Sequence, residues 1–220
     1  MSEYDPLVLI RSETELLPVP LVPEIRLHQA SDPIELWQRM EASSGCTDVE
    51  PPFWAAAWAG GQALARYLLD NPETVLGRSV IDIASGSGLV AIAAAMAGAA
   101  TVTAYEIDPI AAAAITANAE ANCVPVHACC EDILARSDLP SADTDIVLVA
   151  DAFYERELAG QVMRFLDRGD RRGAAVLVGD FGRAFLPTER LQPLASYDVA
   201  GLRAVEGTDV KRTTIWTTMM

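Results

Sequence analysis

Between residues 79 and 179 the chain alternates short apolar runs with longer helix-like ones, and few sequence patterns restrict a fold as tightly. Strand-like runs fall at 79–83, 101–105, 124–129, 145–150 and 174–179, and helix-like segments at 89–97, 109–121 and 155–166. This is the spacing of successive βα units, which pack as a parallel sheet with helices on both faces. Ligands of such sheets bind at the carboxyl ends of the strands. The tail changes character, because 194–199 and 213–217 read as two strands with no helix between them, and we expect them to close the sheet as an antiparallel pair.

The segment before this alternation is less regular. Residues 1–30 carry Pro6, Pro18, Pro20 and Pro23 and are expected to form an extended arm. Asp32-Pro33-Ile34-Glu35 supplies an N-cap, a proline at the first helical position and an acid at the third, predicting a helix to about Glu41. A loop with Ser43, Ser44, Gly45 and Pro51-Pro52 leads into PFWAAAWAGGQALARYLLDNP, which reads as a helix ending near Asn71-Pro72. Trp54 and Trp58, four apart, would then share a helix face. The expected division is an N-terminal arm and helix over 1–50 and a ligand-binding domain over 51–220.

Composition narrows the function. A chain of 220 residues that is 51% hydrophobic and 21% charged can bury a sizeable core. No apolar run is long enough to span a bilayer, and MSEYDPLVLI has acids where a signal peptide carries positive charge, so a cytoplasmic protein without a membrane partner is expected. Cys46, Cys123, Cys129 and Cys130 form no CxxC pair and read as reduced, buried thiols. His28 and His127 belong to no ligand pair, so neither a metal site nor a histidine-dependent triad is expected. A net charge of -15 opposes binding to nucleic acid and favours a basic partner.

The chemistry concentrates in DIASGSG, residues 82–88. Gly86 to Ala91 satisfies G-x-G-x-x-A between a strand and a helix, and Glu106 ends the next strand 20 residues after Gly86, where an acid can accept both hydroxyls of a ribose. Asp82 separates two candidate ligands. It would be an unwelcome neighbour to the pyrophosphate of a dinucleotide, whereas S-adenosylmethionine has no phosphate and carries an ammonium and a sulfonium. Asp82 also reads as a strand-end acid capping local N–H groups, and the two roles are compatible. Asp108-Pro109 reads as a helix cap, and Asp132, after the following strand, is placed to accept from an adenine amine or to begin a helix turn.

VIDIASGSG (80–88) and AYEIDP (104–109) resemble class I S-adenosylmethionine-dependent methyltransferases, whose Rossmann-like sheet has seven strands, mostly parallel, with an antiparallel last strand. VPEIRL (22–27), PFWAAAWAGGQALARYLLDNP (52–72), EIDPIAAAAITAN (106–118), DAFY (151–154) and GDFGR (179–183) are similar to the lysine methyltransferases of the electron-transfer flavoprotein β-subunit. The resemblance implies cofactor-binding roles for Asp82, Ser85, Gly86, Gly88, Glu106 and Asp132, a cofactor-pocket wall at Trp58, and a methyl-acceptor site at Asp151 and Tyr154. It implies a protein substrate with a lysine-bearing basic surface, the electron-transfer flavoprotein β-subunit foremost. Other basic proteins such as ribosomal ones, small amines, and a non-catalytic cofactor-binding module are the alternatives.

Four details bear on that reading. Ala84 stands where such loops more often have glycine, and alanine is expected to need an ordinary backbone conformation. Phe53 is expected to pack, Tyr154 could pack beneath its strand, and Asp151 could cap the helix near Glu155. Asp180 and Arg183 could pair with each other and support the edge of the site.

Overall fold

The computed structural model describes residues 5–44, 49–200 and 210–219. Three Asp-Pro pairs begin three of its helices. Asp5, Asp32 and Asp108 each turn Oδ1 onto the amide two residues ahead, at 3.0, 2.9 and 2.8 Å. The proline in each pair occupies a position whose N–H would have no partner within the helix. These caps open α1 (Pro6–Glu13), α2 (Pro33–Ser44) and, later in the chain, the helix at Pro109–Ala121. The first of them corrects the expectation of an extended arm. After α1 the chain forms a hairpin of β1 (Glu15–Val19) and β2 (Val22–Gln29), whose Val22, Ile25 and Leu27 are buried in the main core.

A 3-10 turn at Phe53–Ala55 precedes α3 (Ala59–Asp70). The helix therefore starts at Ala59 rather than near Pro52, where the apolar pattern begins, because Ala56 and Trp58 are extended. Trp54 and Trp58 do not share a helix face. Trp54 is buried with Leu9, Ile10, Leu36 and Met40, while Trp58 occupies the N-cap of α3 and donates its Nε1–H to Phe53 O at 2.7 Å.

Then come β3 (Ser79–Ile83), α4 (Leu89–Met96), β4 (Thr101–Glu106), α5 (Pro109–Ala121), β5 (His127–Cys130), β6 (Ile146–Ala150), α6 (Arg156–Arg171), β7 (Ala175–Asp180), β8 (Leu191–Ala200) and β9 (Val210–Thr218). The seven strands of the main sheet run β5-β4-β3-β6-β7-β9-β8. Strands β3 to β7 pair in parallel, and β9 inserts antiparallel between β7 and β8, completing the expected sheet. Alternate side chains fill two cores. Val80, Val102, Ile146 and Leu148 pack with α3, α4 and α5; Ile81, Ile83, Val147 and Val149 pack with α6 through Phe165 and Leu166. Strand order reverses direction between β3 and β6, which opens the crevice in which ligands of such sheets bind.

The cysteines depart from expectation in burial. Cys130 is exposed and Cys129 partly so, because β5 is a short strand at the sheet edge, and Cys123 is exposed in the turn after α5; all three are free thiols, and Cys46 lies outside the described residues. Among the described residues no helix is long and apolar enough to cross a membrane.

Candidate active site

At the carboxyl end of β3 the chain turns through three left-handed residues in alternation, Ala84 at φ 51°, Gly86 at 56° and Gly88 at 80°. Ala84 thus adopts the conformation a glycine would, contrary to expectation, at a cost of about 1–2 kcal/mol for its Cβ. Glu106, ending β4, reaches across to this loop: Oε2 accepts from Gly86 N at 2.9 Å and Oε1 from Ile107 N at 2.8 Å. Asp82 is buried on β3, and its Oδ2 accepts from Ser85 Oγ at 2.6 Å and Ala91 N at 3.2 Å, so it ties the loop to the first turn of α4. Burial pushes its pKa up to about 7, against the pull of those two donors. Glu106 is also pushed up, again by burial first.

A second set of interactions forms the far wall. Asp151, in the left-handed region at φ 59°, follows β6, and its carboxylate accepts from Gly60 N at 3.1 Å and Gly61 N at 2.7 Å. It also pairs with the guanidinium of Arg183. Asp151 therefore caps α3 from ninety residues away rather than the helix that follows it. Arg183 lies over the Phe181 ring at 4.2 Å and 3.6 Å from Asp180, whose Oδ1 in turn accepts from the Gly182 and Arg183 amides, both at 2.7 Å. The expected Asp180–Arg183 pair is present, as one side of a three-member cluster. Burial raises the Asp180 pKa to about 6.

Gly60 explains the glycine pair of WAGGQ. A Cβ there would lie 2.2 Å from Gly179 O on β7, and one on Gly179 would lie 2.3 Å from Gly60 O. Only glycine lets the start of α3 approach the sheet and the Asp151 carboxylate so closely.

Between these walls lies a cavity of about 640 Å³, a volume suited to a nucleoside cofactor. Trp58, Asp82, Ser85, Gly86, Glu106, Asp132, Asp151 and Tyr154 all line it. Gly88 stands behind the loop, where a Cβ would meet the Ile115 side chain of α5 at 3.1 Å. Asp132 begins a 3-10 turn, its Oδ1 accepting from Leu134 N at 3.0 Å and Ala135 N at 3.2 Å. Phe53, expected to pack, is 41% exposed, and Tyr154 is 49% exposed. Their ring centroids are 5.7 Å apart, and Phe53 is 5.9 Å from Trp58, so three aromatic rings meet at one wall. Among the described residues nine carboxylates line the cavity, against one arginine. Phosphate would be repelled here, and an ammonium or sulfonium drawn in.

Carboxylates at the β4 end and after β5, with one arginine among the described lining residues, fit a cofactor that carries positive charge and no phosphate, as S-adenosylmethionine does. Solved structures share the architecture. Magnesium protoporphyrin IX methyltransferase from Synechocystis with bound S-adenosylmethionine aligns at TM-score 0.51 and 14% identity, over 71% of this chain and 76% of that one. A T. thermophilus 16S rRNA N2 G1207 methyltransferase in complex with the same cofactor and guanosine aligns at TM-score 0.53 and 18% identity, over 79% and 44%. A family model described as ribosomal protein L11 methyltransferase matches residues 63–170.

The fold is that of class I S-adenosylmethionine-dependent methyltransferases, and relatives by sequence place the chain among those enzymes. The electron transfer flavoprotein beta subunit lysine methyltransferase of Xenopus laevis is 37% identical over 217 residues, 96% of this chain and 86% of that protein, and its Homo sapiens counterpart is 36% identical over 202 residues, 89% and 75%. The chain belongs to the family of electron transfer flavoprotein beta subunit lysine methyltransferases.

Proposed function

We propose that the protein transfers methyl groups from S-adenosylmethionine to lysine side chains of the electron transfer flavoprotein β-subunit. The observation that carries this reading is a cavity with nine carboxylates and an aromatic wall of Phe53, Trp58 and Tyr154. The names of its relatives supply the substrate. The acidic lining favours a partner with a basic, lysine-bearing surface over a nucleic acid.

The cofactor contributes a methyl group made electrophilic by its sulfonium. In this reading Glu106 accepts from the ribose hydroxyls, Asp132 accepts from the adenine amine, and Asp82 offers negative charge to the methionyl ammonium. Ser85, Gly86 and Gly88 shape the loop, and Trp58 walls the pocket. The acceptor lysine arrives as a cation, attracted by the rim, and passes along the wall that Phe53 and Tyr154 form together. Withdrawal from water lowers its pKa, so the proton leaves to solvent and the amine lone pair becomes free to attack. Asp151 contributes by fixing the start of α3, and hence Trp58, its carboxylate being held by Gly60, Gly61 and Arg183.

Labelled S-adenosylmethionine, offered with the flavoprotein, a ribosomal protein and a small amine in parallel, tests the substrate. Label on flavoprotein lysines, located by mass spectrometry, is expected; label confined to either alternative would overturn the assignment.

A further inference from the structure

Asn118 on α5 is fully buried, and both ends of its amide are engaged by different parts of the chain. Oδ1 accepts from His28 N on β2 at 2.8 Å, and Nδ2 donates to Ser87 O, within the glycine loop, at 2.8 Å. The orientation is fixed by its partners. Turning the amide over would set two donors against each other at His28 and two acceptors at Ser87. One helical turn further on, Asn122 accepts from Arg26 N at 2.9 Å and donates to Arg26 O at 2.7 Å. The two asparagines thus give β2 the hydrogen bonds that a neighbouring strand would, although the neighbour is a helix. Of the pair, Asn118 alone passes the connection inward to the loop.

We infer that Asn118 is a positioning residue for the cofactor loop, and that through it the N-terminal hairpin is energetically part of the cofactor site. The inference rests on the reading that the cavity holds S-adenosylmethionine. Ser87 lies between the two glycines of the loop, and both of those have left-handed backbones. Glu106 holds the loop by the Gly86 amide from the cavity side, and Asn118 holds it by the Ser87 carbonyl from behind. Removing the rear contact frees the Ser87 peptide to rotate and leaves a buried carbonyl unpaired. Conversely, a ligand that orders the loop should tighten the hairpin, because coupling between sites is reciprocal.

The test compares Asn118→Asp with Asn122→Asp. Each variant keeps its acceptor for the β2 amide and loses its donor, but only the first loses a contact to the loop. Titration with S-adenosylhomocysteine should show the dissociation constant rising roughly tenfold for Asn118→Asp and staying within about twofold for Asn122→Asp. The KM for S-adenosylmethionine should rise with it, while kcat at saturation stays within about threefold. Equal affinities for both variants and the wild type would overturn the inference. Should Asn118→Asp fail to fold, amide exchange on the wild-type protein decides: S-adenosylhomocysteine should slow exchange at Arg26 and His28. Protection of the loop without any change at those two amides would overturn the coupling. Failure of the wild type to bind S-adenosylhomocysteine at all is a separate outcome, which removes the cofactor reading itself.

Discussion

Ala84 holds a backbone conformation that its own side chain disfavours, and it does so at the entrance to the cofactor loop. Replacing it with glycine relieves about 1–2 kcal/mol of strain and returns about 0.4–1 kcal/mol to the unfolded chain as entropy. Ala84→Gly should therefore raise stability by up to about 1.5 kcal/mol in denaturant unfolding, and a clear loss would show the alanine to be unstrained. Asp82 makes a pH-dependent prediction. Its pKa rises from 3.8 to about 7 on folding, so between those values the folded chain holds a proton that the unfolded chain releases. Its contribution to stability accordingly falls as pH rises through that window. A cationic cofactor favours the ionised form, so affinity should increase roughly fivefold from about pH 6 to about pH 7.5, and Asp82→Asn should flatten the profile. An unchanged slope in the variant would assign the dependence to another group. These residues were legible as a loop and a carboxylate; the strain at Ala84 was not, because backbone angles are set by neighbours on β4 and α4.

At the scale of elements, the start of α3 shows how a distant residue decides a boundary. The apolar pattern runs unbroken from Pro52, yet the helix begins at Ala59, where the carboxylate of Asp151 meets the amides of Gly60 and Gly61. No local signal contains that partner. The glycines themselves were a signal, since two in succession at a helix start weaken the helix unless a close approach requires them. They differ in what they tolerate. Gly60→Ala places a Cβ 2.2 Å from a backbone oxygen and should cost about 3 kcal/mol or more, whereas the nearest atom to a Cβ on Gly61 is Leu89 Cδ2 at 3.6 Å, and Gly61→Ala should stay within about 1 kcal/mol. Thermal unfolding of the two variants checks this, and comparable losses would contradict the close packing of α3 on β7. The N-terminal helix was legible in part: Asp5-Pro6 repeats the cap seen at Asp32-Pro33 and Asp108-Pro109, but the later prolines obscured it. The βα alternation was read correctly because strands covered on both faces are apolar throughout, independently of their partners.

For the molecule as a whole, the order β5-β4-β3-β6-β7-β9-β8 brings residues as far apart in the chain as Glu50 and Arg183 to one crevice. Eight of the nine site residues singled out from sequence line it, and Phe53 joins them. From sequence Phe53 reads as packing, because an aromatic beside Trp54 and Trp58 looks like core; its exposure follows from where α3 starts. The central claim is that this cavity brings the cofactor and a protein lysine together, at separate walls. Tyr154 tests it most directly, since it is half exposed and its substitution should spare the fold. Binding of S-adenosylhomocysteine and methyl transfer to flavoprotein lysines should be measured together on Tyr154→Ala. The account predicts affinity within about twofold of wild type and transfer reduced by roughly a hundredfold. Transfer at the wild-type rate would contradict it.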